Sequence, residues 1–494
     1  MKYFFITTPI YYVNDKPHIG HAYTTLAADV LARFFRTKTK VFFLTGTDEH
    51  GIKIYKSAEE KGVEPKKFCD TISAIYQKTW KELNINYDFF VRTTDTYHEE
   101  FVKYLLLRLK ERKLIYKGKY RGYYCEGCEE FKNKKDLING KCPFHNTQAK
   151  MIGEEVWFFR LSKFQRQILQ KIGKDIHICP PKREKEVISF LKNNKLKDVA
   201  ISRPSERVKW GIELPWDKNQ IIYVWIDALF NYLSGPLSSI NFNFKYKTWE
   251  EIEEALLDFW PADWQLMAKD ILRFHAIIWP ALLLGLELPL PQNLFVHGFF
   301  TIEGQKISKS LGNDINPIVL KEKYGLSSLR YYLFKEFSFG EDGDFSEKNL
   351  IERYNSDLAN NIGNLINRTL TLIKKYGEIE TKIIKNIENK TIENYISELK
   401  FKEALEEINK IAQKSNQLID KKKPWGLIKE AKQGKEFAIR NEAQEKLEKI
   451  FNELLKNLYQ INSFLSYFLP DKSIQIEECL KNFESKIIFP KIET

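Results

Sequence analysis

The spacing of apolar residues along the chain predicts two different architectures. Residues 3–13 are almost entirely apolar or aromatic, which is typical of a buried strand, and "HAYTTLAADVLARFFRTK" after them has apolar residues at helical spacing. "KVFFLTGTDEHG" predicts a second short strand, and residues 51–61 predict a second helix. Strands that alternate with helices in this way predict an α/β fold with a doubly wound parallel sheet.

The pattern changes twice further along the chain. From about Lys117 the sequence becomes polar and loop-rich, as expected of an insertion. Apolar periodicity returns in "QIIYVWIDALFNYLSG", and "LPQNLFVHGFF" predicts another strand of the sheet. After about Asp344 almost every segment has helical spacing, so we predict an antiparallel helical bundle from residue 350 onward.

Length and composition limit the classes of protein to which the chain can belong. Its 494 residues allow two to four domains, and a hydrophobic fraction of 43% is ample for their cores. No apolar run reaches the roughly 18 residues of a membrane span, and the N-terminus lacks the pattern of a signal peptide. A net charge of +12 suits binding to a polyanion, although a generally Lys-rich surface has the same charge.

Cysteine spacing is the sharpest local signal. Two residues separate Cys125 from Cys128, Cys142 and His145 repeat that spacing, and thirteen residues separate the pairs. Four sulfur and nitrogen ligands in two such pairs match a tetrahedral zinc site, and a complete set predicts a structural ion. The other three cysteines are scattered, which argues against a disulfide framework and for a reducing cytoplasm. The alternative is a loop that binds no metal.

The segment "PHIGH", residues 17–21, lies between the first predicted strand and the first predicted helix. Ligands of doubly wound folds bind at the carboxyl ends of the strands. His18 and His21 are on one side of the first helical turn, where backbone N–H groups favour phosphate. Gly20 leaves room for another group to approach the backbone. The alternative is an accidental pair of histidines in a helix cap.

A second candidate element is "EGQKISKSLGN", residues 303–313. Lys306 and Lys309 stand among two serines and between glycines, so a loop here can place ammonium groups on a polyphosphate. Charge that develops on a leaving pyrophosphate would then be stabilised mainly in the transition state. A solvated Lys/Ser loop of no special function has the same composition.

Together, PHIGH and KISKS resemble the paired signature of class I aminoacyl-tRNA synthetases. Closer similarity, to the bacterial methionyl-tRNA synthetases, runs from residue 3 to beyond 430. Segments that carry it are "TPIYYVNDKPHIGHAYTTLAADVLARF", "FLTGTDEHG", "YVWIDALFNYL", "AKDILRFHAIIWPALLL" and "FVHGFFTIEGQKISKSLGN". The resemblance implies an enzyme that activates methionine with ATP and Mg²⁺ and transfers it to tRNA(Met).

The resemblance assigns roles at the positions that match. His18 and His21 contact the ATP phosphates, and Gly20 lies under the adenine. Lys309 acts in the transition state, with Lys306 as an auxiliary. The full set of implied ATP-binding positions is His18, Gly20, His21, Asp270, His297, Gly298 and Lys309.

The implied methionine pocket consists of Ile10, Tyr12, Asp48, Trp225, Tyr232, Ile271, Phe274 and His275. Its chemistry is reasonable, because Asp48 at a strand end can bind the substrate ammonium and an aromatic wall suits a thioether. Without the resemblance, Trp225 and Phe274 would be read as core residues and His275 as a core histidine.

The implied anticodon-binding residues are Asp357, Asn361 and Trp425. Trp425 follows a proline beside a lysine run, and an exposed Trp can stack on an unpaired base. A partly buried anchor between helices is the alternative for Trp425. Some relatives have Asn and Arg where this chain has Asp357 and Asn361.

The resemblance also implies a domain order. The Rossmann-like catalytic domain occupies residues 1–115 and 221–298, with a connective insertion and zinc knuckle at 116–220, the KISKS loop and stem-contact region at 299–349, and an α-helical anticodon-binding domain at 350–494.

Expected partners are ATP, methionine, and elongator and initiator tRNA(Met), without a membrane. Many relatives carry a further C-terminal tRNA-binding and dimerising domain. Its absence from this chain leads us to expect a monomer, with that domain truncated, never present, or supplied as a separate subunit.

Two other functions stay open at this point. A class I synthetase for isoleucine, valine, leucine or cysteine would have a different pocket and, for the first three, a much longer editing insertion. A non-catalytic tRNA-binding relative would be expected to have lost PHIGH or KISKS, and both are intact.

Overall fold

The chain forms two compact units. The computed structural model describes residues 2–125, 130–132, 136–143, 146–302, 305–306, 315–377, 388–434 and 436–493. Unit 1 comprises the chain up to Ala28 and Lys38–His297, and unit 2 comprises Asp29–Thr37 and the chain from Gly298 onward.

Strands are concentrated in unit 1. In chain order they are β1 (Phe4–Tyr12), β2 (Val41–Asp48), β3 (Phe89–Arg92), β4 (Ile115–Cys125), β5 (Glu130–Lys132), β6 (Lys150–Phe159), β7 (His177–Cys179), β8 (Val199–Ala200), β9 (Ser202–Pro204), β10 (Glu213–Leu214), β11 (Asp217–Ile222), β12 (Trp264–Ala268), β13 (Asn293–His297), β14 (Phe300–Ile302), β15 (Gln305–Lys306) and β16 (Gly343–Asp344).

Helices occur in both units. They are α1 (Ile19–Arg36), α2 (Ile52–Glu60), α3 (Pro65–Glu82), α4 (Thr96–Glu111), α5 (Gln165–Lys171), α6 (Pro181–Asn193), α7 (Val224–Leu229), α8 (Asn231–Ser239), α9 (Trp249–Leu257), α10 (Trp279–Leu286), α11 (Pro317–Tyr324), α12 (Leu326–Lys335), α13 (Glu347–Arg353), α14 (Asn364–Tyr376), α15 (Lys390–Ser397), α16 (Phe401–Lys422), α17 (Pro424–Gln433), α18 (Phe437–Phe468) and α19 (Pro470–Asn482). None of these described helices has the length and hydrophobicity that a transmembrane span requires.

The central sheet of unit 1 has the strand order β3-β2-β1-β12-β13-β7, and its neighbouring strands are all parallel. The predicted doubly wound parallel sheet is therefore confirmed. Successive strands run outward from β1 through β2 to β3, and β12 and β13 lie on the other side of β1. The strand order thus reverses between β1 and β12, and such folds bind their ligands at the carboxyl ends of the strands beside that reversal.

Strand β2 shows why this sheet is apolar throughout. All eight of its residues are buried, as expected of a parallel strand that is covered on both faces. Gly46 lies beside Val91 of β3, and a Cβ at Gly46 would be 2.0 Å from the Val91 carbonyl oxygen. Only glycine therefore fits at position 46, where β2 and β3 lie side by side.

The segment after Lys117 contains more regular structure than predicted. Strands β4 and β6 form a long antiparallel ribbon, from Ile115 paired with Phe159 to Tyr124 paired with Lys150. Its many lysines and glycines disfavour strands, so the loop-rich prediction was wrong for β4. Cross-strand aromatic stacking stabilises the ribbon, because the rings of Tyr116 and Tyr120 lie 5.5 and 6.0 Å from that of Phe158.

Unit 2 is mainly helical, as predicted for residues beyond 350. The predicted apolar stripe of Leu358, Ile362, Leu365, Ile366 and Leu370 is fully buried. The first two of these residues lie in a π-helical segment, Tyr354–Gly363, that continues directly into α14. The spacing of apolar residues predicts the buried face of this segment but not its wider helical turn.

In unit 2, a buried ion pair and a hydrogen bond join α12 to the second half of α1 and to the end of α18. Asp29, near the middle of α1, accepts a hydrogen bond from Arg330 of α12 at 2.7 Å and another from Arg33 at 2.9 Å. Arg330 also donates through Nε to the carbonyl oxygen of Phe468, at the end of α18, at 2.6 Å. Asp29 and Arg330 are both almost completely buried, so each compensates charge of the other away from water.

Candidate functional site

The end of the loop between β1 and α1 and the first turn of α1 hold two imidazole rings in one fixed tautomer. The backbone N–H of Gly20 donates to Nδ1 of His18 at 3.0 Å, and the backbone N–H of His18 donates to Nδ1 of His21 at 3.3 Å. A ring nitrogen that accepts carries no proton, so each neutral imidazole carries its proton on Nε2. The two rings are stacked, with centroids 3.7 Å apart. The first turn of α1 therefore has two Nε2–H donors at a helix N-terminus.

Aromatic residues that the sequence analysis did not select support His21. The ring of Tyr11 packs 4.9 Å from that of His21, and its hydroxyl lies 2.6 Å from the Thr25 hydroxyl. Tyr76 of α3 donates to Nδ1 of His21 at 3.2 Å and stacks on Tyr11. Burial raises the pKa of Tyr11 to about 12, so this support is uncharged at neutral pH.

His297, at the end of β13, is connected to the same loop. Its Nε2 lies 2.6 Å from the hydroxyl of Thr24, which in turn donates to the carbonyl oxygen of Gly20 at 3.2 Å. Tyr23 packs edge-on against His297 at 5.5 Å. The carboxyl ends of β1 and β13 are therefore joined through one turn of α1.

One wall of the predicted methionine pocket lies at the ends of β1 and β2. Tyr12 pairs with Asp48 in the parallel register of these strands, and Ile10 pairs with Gly46. Asp48 is 8% exposed, whereas Ile10 and Tyr12 are half-buried. The structure therefore places a largely buried carboxylate beside an aromatic ring at the carboxyl edge of the sheet.

The second wall of the predicted pocket is formed by α7, α8 and a π-helical turn. The rings of Trp225 and Phe274 stack 3.9 Å apart, with an angle of 11° between their planes. Nδ1 of His275 lies 3.1 Å from the carbonyl oxygen of Ile271, which can only accept, so this nitrogen carries the proton. Nε2 of His275 then accepts from the Tyr232 hydroxyl at 2.7 Å.

His275 is uncharged under physiological conditions. Burial lowers the pKa of His275 to about 4. The π-helical turn Phe274–Ile278 begins at the pocket aromatic and includes His275. This wall is consequently aromatic and neutral.

The turn after β2 contains a buried carboxylate that the sequence analysis did not select. Glu49 is fully buried and accepts from Nε and Nη2 of Arg92, each at 2.8 Å, and from the Thr47 hydroxyl at 2.6 Å. Thr94 also donates to it. The Glu49 carbonyl oxygen accepts from the Trp210 indole at 2.6 Å. These contacts fix the backbone directly after Asp48.

A second polar network that the sequence analysis missed begins one residue later. Nδ1 of His50 and Nε2 of His98 each lie 2.7 Å from a different oxygen of Asp227. Nδ1 of His98 lies 2.7 Å from the Ser234 hydroxyl, and Nε2 of His50 lies 3.5 Å from Glu99. The two histidines, Asp227 and Ser234 are all buried.

Four further predicted site residues are Asp270, Gly298, Lys306 and Lys309, and the structure describes the first three. Asp270 is exposed in the short helical turn after β12. Gly298 lies in unit 2, where a Cβ would be 2.3 Å from the carbonyl oxygen of Glu341, so no side chain fits. Lys306 ends β15, opposite Thr301. Lys309 lies outside the described residues.

Two of the four predicted metal ligands are described. Cys125 and Cys142 are both buried thiols, whereas Cys128 and His145 lie outside the described residues. Thr147 contacts both described cysteines, with its hydroxyl 3.6 Å from Sγ of Cys125 and its carbonyl oxygen 2.9 Å from the backbone nitrogen of Cys142. Thr147 therefore contacts the first predicted ligand of each pair.

Two of the predicted anticodon residues line a polar cavity of about 540 Å³ in unit 2. Asp357 accepts from the Tyr331 hydroxyl at 2.9 Å, and the Asn361 amide donates to Asn409 of α16. Its whole lining is polar or charged: Lys335, Arg353, Ser356, Asp357, Asn361, Glu406, Asn409, Lys410 and Gln413. Such a lining suits a ligand rich in hydrogen-bonding groups.

Trp425 is the second residue of α17 and is 45% exposed. The preceding Lys423 has a left-handed backbone conformation, with φ 47°. A large aromatic ring is therefore presented to solvent two residues after the end of a lysine run.

Comparison with known proteins places this geometry in a family. The family model described as "tRNA synthetases class I (M)" matches residues 4–151 and 132–370. The methionine–tRNA ligase of Caldanaerobacter subterraneus is 42% identical over 529 aligned residues, which cover 100% of this chain and 79% of that protein. That of Campylobacter jejuni is 44% identical over 445 residues, covering 87% and 68% respectively.

A solved structure is similar over almost the whole chain. The Mycobacterium tuberculosis methionyl-tRNA synthetase, solved in complex with methionyl-adenylate, superposes with a TM-score of 0.86 at 31% identity. The match covers 99% of this chain and 100% of that one.

Proposed function

Because the chain belongs to the methionine–tRNA ligases of the class I tRNA synthetases, we propose that it activates L-methionine with ATP and transfers it to tRNA(Met). In the first step a methionine carboxylate oxygen attacks the α-phosphorus of ATP. The bond from that phosphorus to the bridging oxygen of the β-phosphate breaks, and pyrophosphate leaves. In the second step a hydroxyl of the terminal ribose of tRNA attacks the methionyl carbonyl, and AMP leaves.

The observation that carries this proposal is the paired Nε2–H geometry of His18 and His21. Both imidazoles receive a backbone N–H at Nδ1, so both carry their donor on Nε2 at the start of α1. Donors at a helix N-terminus favour phosphate oxygens. We assign the ATP phosphates to His18 and His21 and the adenine to the position of Gly20.

Lys306 and Lys309 would stabilise the charge that develops on pyrophosphate, with Lys309 acting in the transition state. Mg²⁺ bound with ATP would neutralise part of the same charge. Asp270, His297 and Gly298 complete the proposed ATP site.

Methionine would bind between the two walls described above. Asp48 would accept hydrogen bonds from the substrate ammonium group, because a largely buried carboxylate forms strong charge-assisted hydrogen bonds. Ile10, Tyr12 and the stacked Trp225 and Phe274 suit a thioether, whose sulfur packs well against rings. The Tyr232–His275 pair is neutral, which suits the uncharged side chain of methionine. The carbonyl oxygen of Ile271 orients the His275 ring.

Unit 2 supplies the proposed RNA-binding residues. Trp425 would stack on an anticodon base, and Asp357 and Asn361 would contact the anticodon from the polar cavity. Residues 350–494 form the proposed anticodon-binding domain, and 299–349 the KISKS and stem-contact region.

The cysteine cluster would hold one structural zinc ion. Two buried thiols beside Thr147 fit the soft ligands that zinc prefers, and Cys128 and His145 would complete the tetrahedron. We further propose a cytoplasmic monomer that can act with a separate tRNA-binding subunit.

Amino-acid-dependent ATP–pyrophosphate exchange tests the proposed function directly. Exchange should occur with methionine alone among the twenty amino acids. Exchange with another amino acid would assign the chain to a different substrate. Absence of exchange from folded, zinc-loaded protein would favour a non-catalytic tRNA binder.

Replacing Trp425 by alanine is expected to lower kcat/KM for charging of tRNA(Met) about 5- to 150-fold, since one base–aromatic stack contributes about 1–3 kcal/mol. Pyrophosphate exchange should be unchanged, because it needs no tRNA. Trp425→Phe should keep most of the activity, and Phe437→Ala, at a 72% exposed ring on α18, serves as the matched control. Equal losses in exchange and charging would instead identify Trp425 as a structural anchor.

One zinc atom per chain is expected by elemental analysis of the purified protein. Cys142→Ser should reduce that content strongly, because serine is a poor zinc ligand. Cys179→Ser, on the edge strand β7, should retain the full content. A wild-type protein without zinc would contradict the proposed site.

A further inference from the structure

Asp227 is a fully buried carboxylate that connects four separate elements. It belongs to α7, it pairs with His50 directly after β2, and it pairs with His98 of α4. His98 extends the connection to Ser234 of α8. Both carboxylate oxygens are used, at 2.7 Å each.

The charges of this cluster compensate each other. Burial opposes the charged form of His50, but the Asp227 carboxylate outweighs burial and raises the pKa of His50 to about 10. Burial also opposes the charge on Asp227, yet His50 holds the pKa of Asp227 below its ordinary value. His98 donates from Nε2 to Asp227, so its Nδ1 accepts from the Ser234 hydroxyl when the ring is neutral. The cluster is thus an ion pair between His50 and Asp227, which His98 extends to Ser234.

The elements that Asp227 joins carry opposite walls of the proposed methionine pocket. His50 is two residues after Asp48, which ends β2. Asp227 is two residues after Trp225 on α7, and Ser234 is two residues after Tyr232 on α8. Movement of α7 and α8 relative to the end of β2 would therefore change the distance between the carboxylate and the aromatic wall.

We propose that Asp227 is a positioning residue for methionine, and that through His50 and His98 it sets the distance between the Asp48 wall and the Trp225–Tyr232 wall. The inference rests on methionine activation as the proposed function. Asp227 itself touches neither substrate. Its effect is on the affinity for methionine and not on the ATP phosphates, which are assigned to the separate loop before α1.

The test is ATP–pyrophosphate exchange by the full chain carrying Asp227→Asn. We expect KM for methionine to rise about 10- to 100-fold, as for loss of charge-assisted hydrogen bonds, while kcat at saturating methionine and KM for ATP stay within about twofold. His98→Gln keeps the Asp227–His50 pair and should raise KM for methionine less than Asp227→Asn does.

Asp263→Asn is the matched control. Asp263 is a partly buried carboxylate that accepts from the backbone N–H of Phe5 at the amino end of β1, the opposite edge of the sheet. It should leave KM for methionine unchanged.

An unchanged KM for methionine in Asp227→Asn would overturn the proposal. So would a variant in which kcat falls and KM rises for methionine and for ATP alike. If that variant does not fold, His98→Gln decides by the same criterion. A wild-type protein without methionine-dependent exchange would refute the proposed function instead, so the two failures are distinguishable.

Discussion

Replacing His21 by alanine is expected to lower kcat for methionine activation about 100- to 1,000-fold, the usual effect of removing one preorganised donor from a developing charge. The donor is preorganised because the His18 N–H and the Tyr76 hydroxyl both occupy Nδ1 of His21, which leaves the proton on Nε2. Pre-steady-state formation of the adenylate measures this step separately from tRNA charging. KM for methionine should change little, because the substrate ammonium is assigned to Asp48.

His177→Ala is the matched control, since this histidine is exposed on the edge strand β7. It should leave adenylate formation at the wild-type rate. Tyr76→Phe removes one of the two donors to Nδ1 and should lower kcat only several-fold, because the His18 N–H still selects the tautomer. A His21→Ala variant with near-normal kcat would contradict the role assigned to this imidazole.

Replacing Asp29 by asparagine is expected to destabilise the protein by about 3–5 kcal/mol, the usual result of leaving one partner of a buried ion pair without its counter-charge. Asparagine has almost the same shape as Asp29, so the loss would report charge and not packing. Arg330 would stay buried between α1, α12 and the end of α18. Urea unfolding followed by helical circular dichroism, with hydrogen exchange in residues 326–335, measures the effect.

A surface ion pair of unit 2 provides the comparison. Glu352 lies 3.8 Å from Lys348 on α13, and both side chains are more than half exposed. Glu352→Gln should cost less than about 1 kcal/mol, because solvent screens such a pair. An Asp29→Asn variant as stable as Glu352→Gln would mean that water or another group compensates Arg330.

The parallel sheet could be predicted because its strands are apolar throughout and its helices are amphipathic. The strand predicted at residues 3–13 is β1, Phe4–Tyr12, and the helix predicted at 51–61 is α2, Ile52–Glu60. The ribbon β4–β6 was missed because cross-strand contacts stabilise it, and these depend on partners far away in sequence, such as Phe159 for Ile115. Apolar spacing also cannot distinguish a π turn from an α turn, so Phe274–Ile278 and Tyr354–Gly363 were not foreseen.

The family was predicted correctly from PHIGH and KISKS. The residues that hold the candidate site in place were not predicted from the sequence. Tyr76 is one apolar position among several on an amphipathic helix, and nothing in its local sequence indicates a contact with His21. Glu49 and His50 stand beside Asp48, but their partners Arg92 and Asp227 are distant in sequence and no local spacing links them. The adjacency of three titratable residues in "TDEHG" was the available signal.

The position of β12 beside β1 has a consequence for synthesis on the ribosome. Ile6 pairs with Trp264, so β1 is translated long before its second neighbour exists. At about 5–20 residues per second the interval is on the order of tens of seconds. During that time β1 can pair with β2, but the edge of β1 that later pairs with β12 has no partner strand. The strand β1 is apolar on both faces. A nascent chain of this protein therefore presents an unpaired, aggregation-prone strand edge for most of the time that its first unit is being made.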